Sequence, residues 1–272
     1  MNYPFNRILL ATEFTEFDLG AERLAFAMAK RCGVPLRVVV PLLSNSEYEA
    51  EMPELALKAE QVAAAKIEAL RKQAEVSGIQ LDVRVRRGSE IHTEIVNEAR
   101  ESKTDLIVIR RRGKPSFLAR LMVGEMVSKV IRDTSCSVLL VPRAAEFWSI
   151  RILAAVGDTP AASNIAKTAG MIAGICGLPL TVVSVASDSG ALPKFENLKN
   201  LNVMHASESC DKVTGVVRVG KTVEQIMSVA KESAADLIVI GRQRYHLFPF
   251  GNEGLMQHIA GNMNVPTLIM AI

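Results

Sequence analysis

The stretch 105-DLIVIRRRGKPSFLARLMVGEMVSKVIRDTSCSVLLVP-142 decides the fold, because a variant of it returns at Asp236–Met270. Both versions open on the same five residues, Asp105–Ile109 and Asp236–Ile240. A short unbroken apolar run of this kind is how a strand buried on both faces reads. A loop follows, and then Val123, Met126, Val127, Val130 and Ile131 recur at the i, i+3, i+4, i+7, i+8 spacing of one helix face. Leu255, Met256, Ile259, Ala260 and Met263 echo them. A last apolar strand closes each version, at Ser137–Val141 and Pro266–Met270. Strand, loop and helix N-terminus is a layout that holds phosphates, since the first helical N–H groups lack intrahelical partners and the dipole end is positive.

Working outward, the duplication covers the whole chain. Arg7–Thr12 (RILLAT) and Arg151–Val156 (RILAAV) read as first strands, the former followed by Glu13 and the latter by Gly157. The helical pattern of Leu19–Cys32 stops at Gly33, a favoured helix C-terminal residue, and Gly177 repeats this after Cys176. Second strands follow at Leu36–Val40 and Leu180–Val185, still offset by 144 residues, so the copies align this far without a gap. The first copy then has an acidic segment, Ser44–Glu54, and a long Ala/Leu/Lys/Glu helix, Leu55–Val76. The second replaces these with Ala186–Asp211, rich in Ser, Asn and Gly, where the composition predicts at most a short or broken helix. Third strands are expected at Leu81–Arg86 and Val213–Val219, and short helices end in matching Ala99–Ser102 and Ala230–Ser233. Strands alternating with helices imply βαβ units with right-handed crossovers. The expected fold is α/β: two domains, 1–143 and 150–272, the second shortened in its middle, each with a five-stranded, mostly parallel sheet and helices on both faces. Ligands in such sheets bind at the strand carboxyl ends where the winding reverses, which is where Glu13 and the loop after Ile109 meet.

Bulk properties narrow the function. The 272 residues are 49% hydrophobic and 22% charged, enough for two ordinary cores. No apolar run approaches the roughly 20 residues of a membrane span, and the start lacks a signal-peptide pattern, so a soluble cytoplasmic protein is expected. The net charge of +3 lies in the first copy: residues 1–143 hold 22 Lys+Arg against 19 Asp+Glu, leaving 10 of each. That bias, with 5% aromatics, argues against nucleic-acid binding. Cys32, Cys136, Cys176 and Cys210 are scattered and form no CxxC pair, so disulfides are not expected. His205, Cys210, His246 and His258 have no metal-ligand spacing, and no nucleophile elbow or P-loop lysine occurs, so a non-enzymatic role is expected.

The acidic residue after the first strand, the DLIVI run before a loop, and the glycines leading into the last helix resemble the universal stress proteins, here as a tandem pair. The resemblance covers nearly the whole chain twice. It implies a Rossmann-like, adenine nucleotide alpha hydrolase-like fold in each half and a cytosolic regulatory role. It also implies an internal pseudo-dimer, with further homodimerisation open, and an unknown regulatory protein partner. In the nucleotide-binding branch of that family, ATP with Mg²⁺ is held by a first-strand Asp, a backbone contact at the end of strand two, and loop glycines in the pattern G-x2-G-x9-G-(S/T).

Carried over residue by residue, the resemblance assigns an adenine-nucleotide site in the first half to Glu13 in the Asp slot, Arg110 in place of the first glycine, Gly113 and Gly124, with Arg112 and Ser128 beside them. Pro41 takes the strand-two position and has no N–H to donate. The step from Arg110 to Gly124 is 14, one more than the motif's, and Glu125 replaces the Ser/Thr. A carboxylate about 4 Å from a phosphate repels it by on the order of 4 kcal/mol at an effective dielectric near 20, so compensation falls to the arginines 110–112. In the second half Val185 and Gly241 match, while Gly157 takes the Asp slot, Arg244 replaces the second glycine, and Glu253 or Gly254 stands for the third. Two readings stay open beside a nucleotide module: an interaction scaffold that has lost nucleotide binding, and a binder of another small ligand in the second half.

Overall fold

The structure is a computed structural model that describes residues 3–44, 53–111, 124–242 and 265–271. The described parts of Phe5–Arg112 and Gly124–Glu146 form one compact unit and those of Phe147–Ile272 another.

The first unit runs β1 (Ile8–Ala11), α1 (Leu19–Cys32), β2 (Leu36–Leu43), α2 (Pro53–Ser77), β3 (Leu81–Gly88), α3 (Ile91–Glu101), β4 (Leu106–Arg110), α4 (Glu125–Asp133) and β5 (Ser137–Val141). Its strands lie in the order β3-β2-β1-β4-β5. All of these pairings are parallel, with Ile8 opposite both Leu36 and Leu106. Every residue of β1, β4 and β5 is buried, which explains why all but Arg110 and Ser137 are apolar. The edge strand β3 is only half-buried and carries Arg84, Arg86 and Arg87. Gly20 in the first turn of α1 lets that helix close on the chain after β5, since a Cβ there would stand 2.1 Å from the Pro142 carbonyl oxygen.

The second unit runs β6 (Ile152–Ala155), α5 (Ala162–Cys176), β7 (Leu180–Ala186), α6 (Leu192–Ser207), β8 (Val213–Val219), α7 (Thr222–Glu232), β9 (Leu237–Gly241) and β10 (Thr267–Met270). The order β10-β9-β6-β7-β8 is again parallel throughout. Five parallel strands in each unit agree with the expected α/β fold; the helix expected before the last strand of the second copy lies outside the described residues.

One expectation is corrected. Ala186–Asp211 holds a 16-residue helix, α6, after a 3-10 turn at Ser189–Ala191. Asp188 caps that turn by accepting the Ala191 N–H at 3.1 Å, and Pro193 sits in the first turn of α6, where a missing N–H costs nothing. Packing supplies the rest. A Cβ on Gly170 or Gly174 of α5 would stand 2.4 Å from the Ala206 carbonyl oxygen or 1.8 Å from that of Ser209, so the two glycines let the end of α6 and the turn after it lie directly on α5.

The two DLIVI runs share one further device. Asp105 accepts the N–H groups of Asn6 (3.0 Å) and Arg7 (3.1 Å), and Asp236 those of Ser149 (2.6 Å), Ile150 (2.8 Å) and Arg151 (3.0 Å). Each carboxylate ties the entry of the first strand of its copy to the start of the fourth. No described helix is long and apolar enough to cross a membrane.

Candidate functional site

In the first unit the carboxyl ends of β1, β2 and β4 meet the first turn of α4. Strand order reverses between β1 and β4, so a crevice opens there by topology. Ala11, Thr12, Glu13, Asp18, Pro41, Ile95, Ile109, Arg110 and Met126 surround it. Arg110 ends β4 and is 1% exposed. Its Nη1 donates to Thr15 Oγ1 at 2.7 Å and to Asp18 Oδ2 at 2.8 Å, and its Nη2 donates to Glu13 Oε1. Asp18 is equally buried. Its carboxylate also accepts the Thr15 N–H at 2.7 Å and the Thr15 hydroxyl at 2.8 Å, which folds the β1–α1 loop back on itself. The guanidinium is thus held at three points by one loop, and no water-sized sphere fits between the described residues lining the crevice.

Around this clasp the loop is pinned again. Thr12 is buried; its hydroxyl donates to Glu22 Oε1 at 2.7 Å and accepts the Phe14 N–H at 3.0 Å. Phe14 is buried in the left-handed region at φ 57°, and Lys66 of α2 donates to its carbonyl oxygen. Burial pushes the Glu22 carboxyl above the ordinary carboxylate range; the Thr12 hydrogen bond and the Lys66 charge oppose that rise and the Asp18 charge adds to it. Arg111, the next residue, is half-buried, and burial lowers its guanidinium from its ordinary value.

Of the residues read from sequence, Glu13 and Arg110 are brought into contact. Gly124 is the N-cap of α4 and Ser128 lies within that helix, half-buried, its N–H bonded to the Gly124 carbonyl at 3.0 Å. Arg112 and Gly113 lie outside the described residues. Glu125 opens α4 with its side chain 85% exposed and its carboxylate 3.2 Å from Lys129. The acid expected to repel a phosphate is therefore paired at the surface, and the side chain inside the crevice is Arg110. In the second unit Val185 and Gly241 are half-buried at the ends of β7 and β9, and Asp158, one residue after Gly157, is ion-paired with Lys194. Arg244, Glu253 and Gly254 lie outside the described residues.

A family model, the universal stress protein family, matches this chain twice, over residues 4–142 and 150–268. The chain belongs to the universal stress protein family. A universal stress protein of Methanocaldococcus jannaschii is 27% identical over 147 residues, 51% of this chain and 83% of that one. Among solved structures, a universal stress protein from Archaeoglobus fulgidus superposes with a TM-score of 0.75 at 18% identity, covering 98% of this chain and 97% of its own. A putative universal stress protein from Pseudomonas aeruginosa gives 0.71 at 17% identity, covering 98% and 93%.

Within this tandem universal stress protein, sequence reasoning missed Thr12, Thr15, Asp18, Glu22 and Lys66. A signal for Asp18 existed. A charged residue ending a fully buried strand needs a buried counter-charge, and 12-TEFTEFD-18 is the acidic segment at the carboxyl end of the neighbouring strand.

Proposed function

We propose that this universal stress protein is a cytoplasmic regulatory module whose first half acts through contacts with a protein partner and takes no ATP, because Arg110 fills the place of the ligand. The burial and three-point clasp of Arg110 carry the reading. Family members have been solved with cAMP and with dAMP. Here the acid in the Asp slot, Glu13, is bonded to Arg110, and Pro41 offers no N–H, so the residues present do not fit a nucleotide. Displacing the arginine would strand the Asp18 carboxylate at a cost of about 3–5 kcal/mol. Taken from the roughly 8 kcal/mol of a micromolar site, that moves affinity into about the millimolar range.

Titration calorimetry of ATP with Mg²⁺ tests this. We expect no micromolar binding to the wild type or to Glu125→Ser, since Glu125 already faces solvent. Micromolar binding by the wild type that is lost in Gly124→Asp would overturn the reading. A ligand in the second half is the second reading, favoured by Gly241, which has no side chain to fill the place that Arg110 fills. Binding lost in Gly241→Arg and kept in Gly124→Asp would establish it.

A further inference from the structure

Away from the clasp, the edge of the first unit gathers a second set of arginines. The parallel register sets Arg37 of β2 beside Asp82 of β3, Val39 beside Arg84, and Pro41 beside Arg86. With a side-chain period of two, Arg37, Asp82, Arg84 and Arg86 share one face. Glu94, Glu98 and Glu101 of α3 recur at helical spacing over that face.

Two layers of acid result. Behind is Glu98, whose side chain is 4% exposed; it accepts Arg37 Nη1 at 3.2 Å and Arg86 Nε at 2.6 Å, with Glu94 3.9 Å from Arg86 Nη1. These buried contacts fix where the guanidinium groups point. In front lies a crevice of about 470 Å³ bounded by Arg37, Arg84, Arg86, Glu98, Glu101 and Val85. The acids on that side are more open to water than Glu98. Glu101, 65% exposed, bonds Arg86 Nη2, and the half-buried Asp82 sits 2.7 Å from Arg37 Nη2 and 3.3 Å from Arg84 Nε. Arg84 is 59% exposed, and its guanidinium is paired through Nε with Asp82.

We propose that this crevice binds an anion carrying two linked phosphates, which takes the forks of Arg84, Arg86 and Arg37 by displacing Glu101 and Asp82 into water. Glu101 is 65% and Asp82 40% exposed, so water can take over both carboxylates, while the less exposed Arg86 and Arg37 need the phosphate as their new partner. Arg84 can give a phosphate two parallel N–H bonds, and Arg37 and Arg86, each still bonded to Glu98, add the N–H groups that Asp82 and Glu101 release. With the front acids displaced, three guanidinium groups face Glu98 and Glu94. A small positive surplus remains, and selection rests on fork geometry. Glu98 is a positioning residue here, and the crevice has room for a diphosphate.

The test is calorimetry of the full chain with inorganic pyrophosphate, with orthophosphate as comparison, in the wild type, Arg84→Ala and Glu101→Gln. Both substituted side chains are exposed, so the fold should survive. We expect one pyrophosphate per chain, binding more tightly than orthophosphate and weakening as salt rises. Arg84→Ala should weaken it about tenfold, and Glu101→Gln, which removes the competing charge, should tighten it several-fold. Binding of ADP with the same dependence on Arg84 would assign the two phosphates to a nucleotide tail, and pyrophosphate binding without ADP binding would assign them to the free anion; either upholds the site. No binding at millimolar pyrophosphate, or binding indifferent to both substitutions, would overturn the proposal and leave the crevice a closed ion-pair network.

Discussion

Arg110 shows how one buried side chain can hold a whole loop in place. Its guanidinium satisfies two carboxylates and a hydroxyl of the β1–α1 loop, so removing it should destabilise the fold before it opens the crevice. Arg110→Met leaves Asp18 buried and unpaired, and we expect a loss of about 3–5 kcal/mol in urea denaturation. The double variant Arg110→Met/Asp18→Leu removes both buried charges and should recover most of that loss. Glu22, in the same loop network, makes a pH prediction. Its folded-state pKa is raised by burial, so the folded protein binds this proton more tightly than the unfolded chain does. Stability from this group is therefore greatest at low pH and falls as pH climbs from the ordinary glutamate value, 4.5, through the raised one. Glu22→Gln keeps an oxygen for the Thr12 hydroxyl and removes the charge. Melting temperatures should rise at pH 7 and stay unchanged near pH 4; an equal shift at both would show that ionisation of Glu22 is not the cause.

Elements form for reasons that the sequence displays unequally. The DLIVI strands were legible because a strand covered on both faces must be apolar at every position, a pattern that needs no partner to be read. Helix α6 was not, because Asn197, Asn200, Asn202 and Ser207 give a composition suited to loops, and the helix is stabilised by its contact with α5. Only the structure shows that Gly170 and Gly174 face that contact. The Arg110 clasp was hidden for a related reason: its acceptors lie 92 to 97 residues away along the chain, and spacing rules reach only within one element. The α5–α6 seam can be tested directly. The Cβ of Gly174→Ala would meet the Ser209 carbonyl oxygen at 1.8 Å, and backbone there cannot swing aside as a side-chain tip would. We expect a loss of about 1–3 kcal/mol, with hydrogen exchange accelerated first in α6. If Gly174→Ala is neutral, the seam is looser than described and α6 owes its stability to something else.

At the scale of the whole molecule, the duplication copies a way of closing the fold more faithfully than it copies a binding site. Glu13 and Gly157, Arg110 and Gly241 differ between the copies, but Asp105 and Asp236 remain and do the same work: a charged acceptor at the start of the fourth strand gathers the N–H groups that lead into the first. Such contacts are charge-assisted and contribute about 1.5–3 kcal/mol where the acceptor is ionised. Asn in either position keeps one oxygen and turns the other acceptor into a donor aimed at N–H groups. Asp236 binds three N–H groups at 2.6–3.0 Å and Asp105 two at 3.0–3.1 Å. Asp236→Asn should therefore cost more than Asp105→Asn, about 2–3 kcal/mol against 1–2. Hydrogen exchange can locate each effect: Asp105→Asn should expose the amides of β1, and Asp236→Asn those of β6. Equal and small losses would mean that the repeated aspartate stays at these two positions for some purpose other than closing each copy on its own first strand.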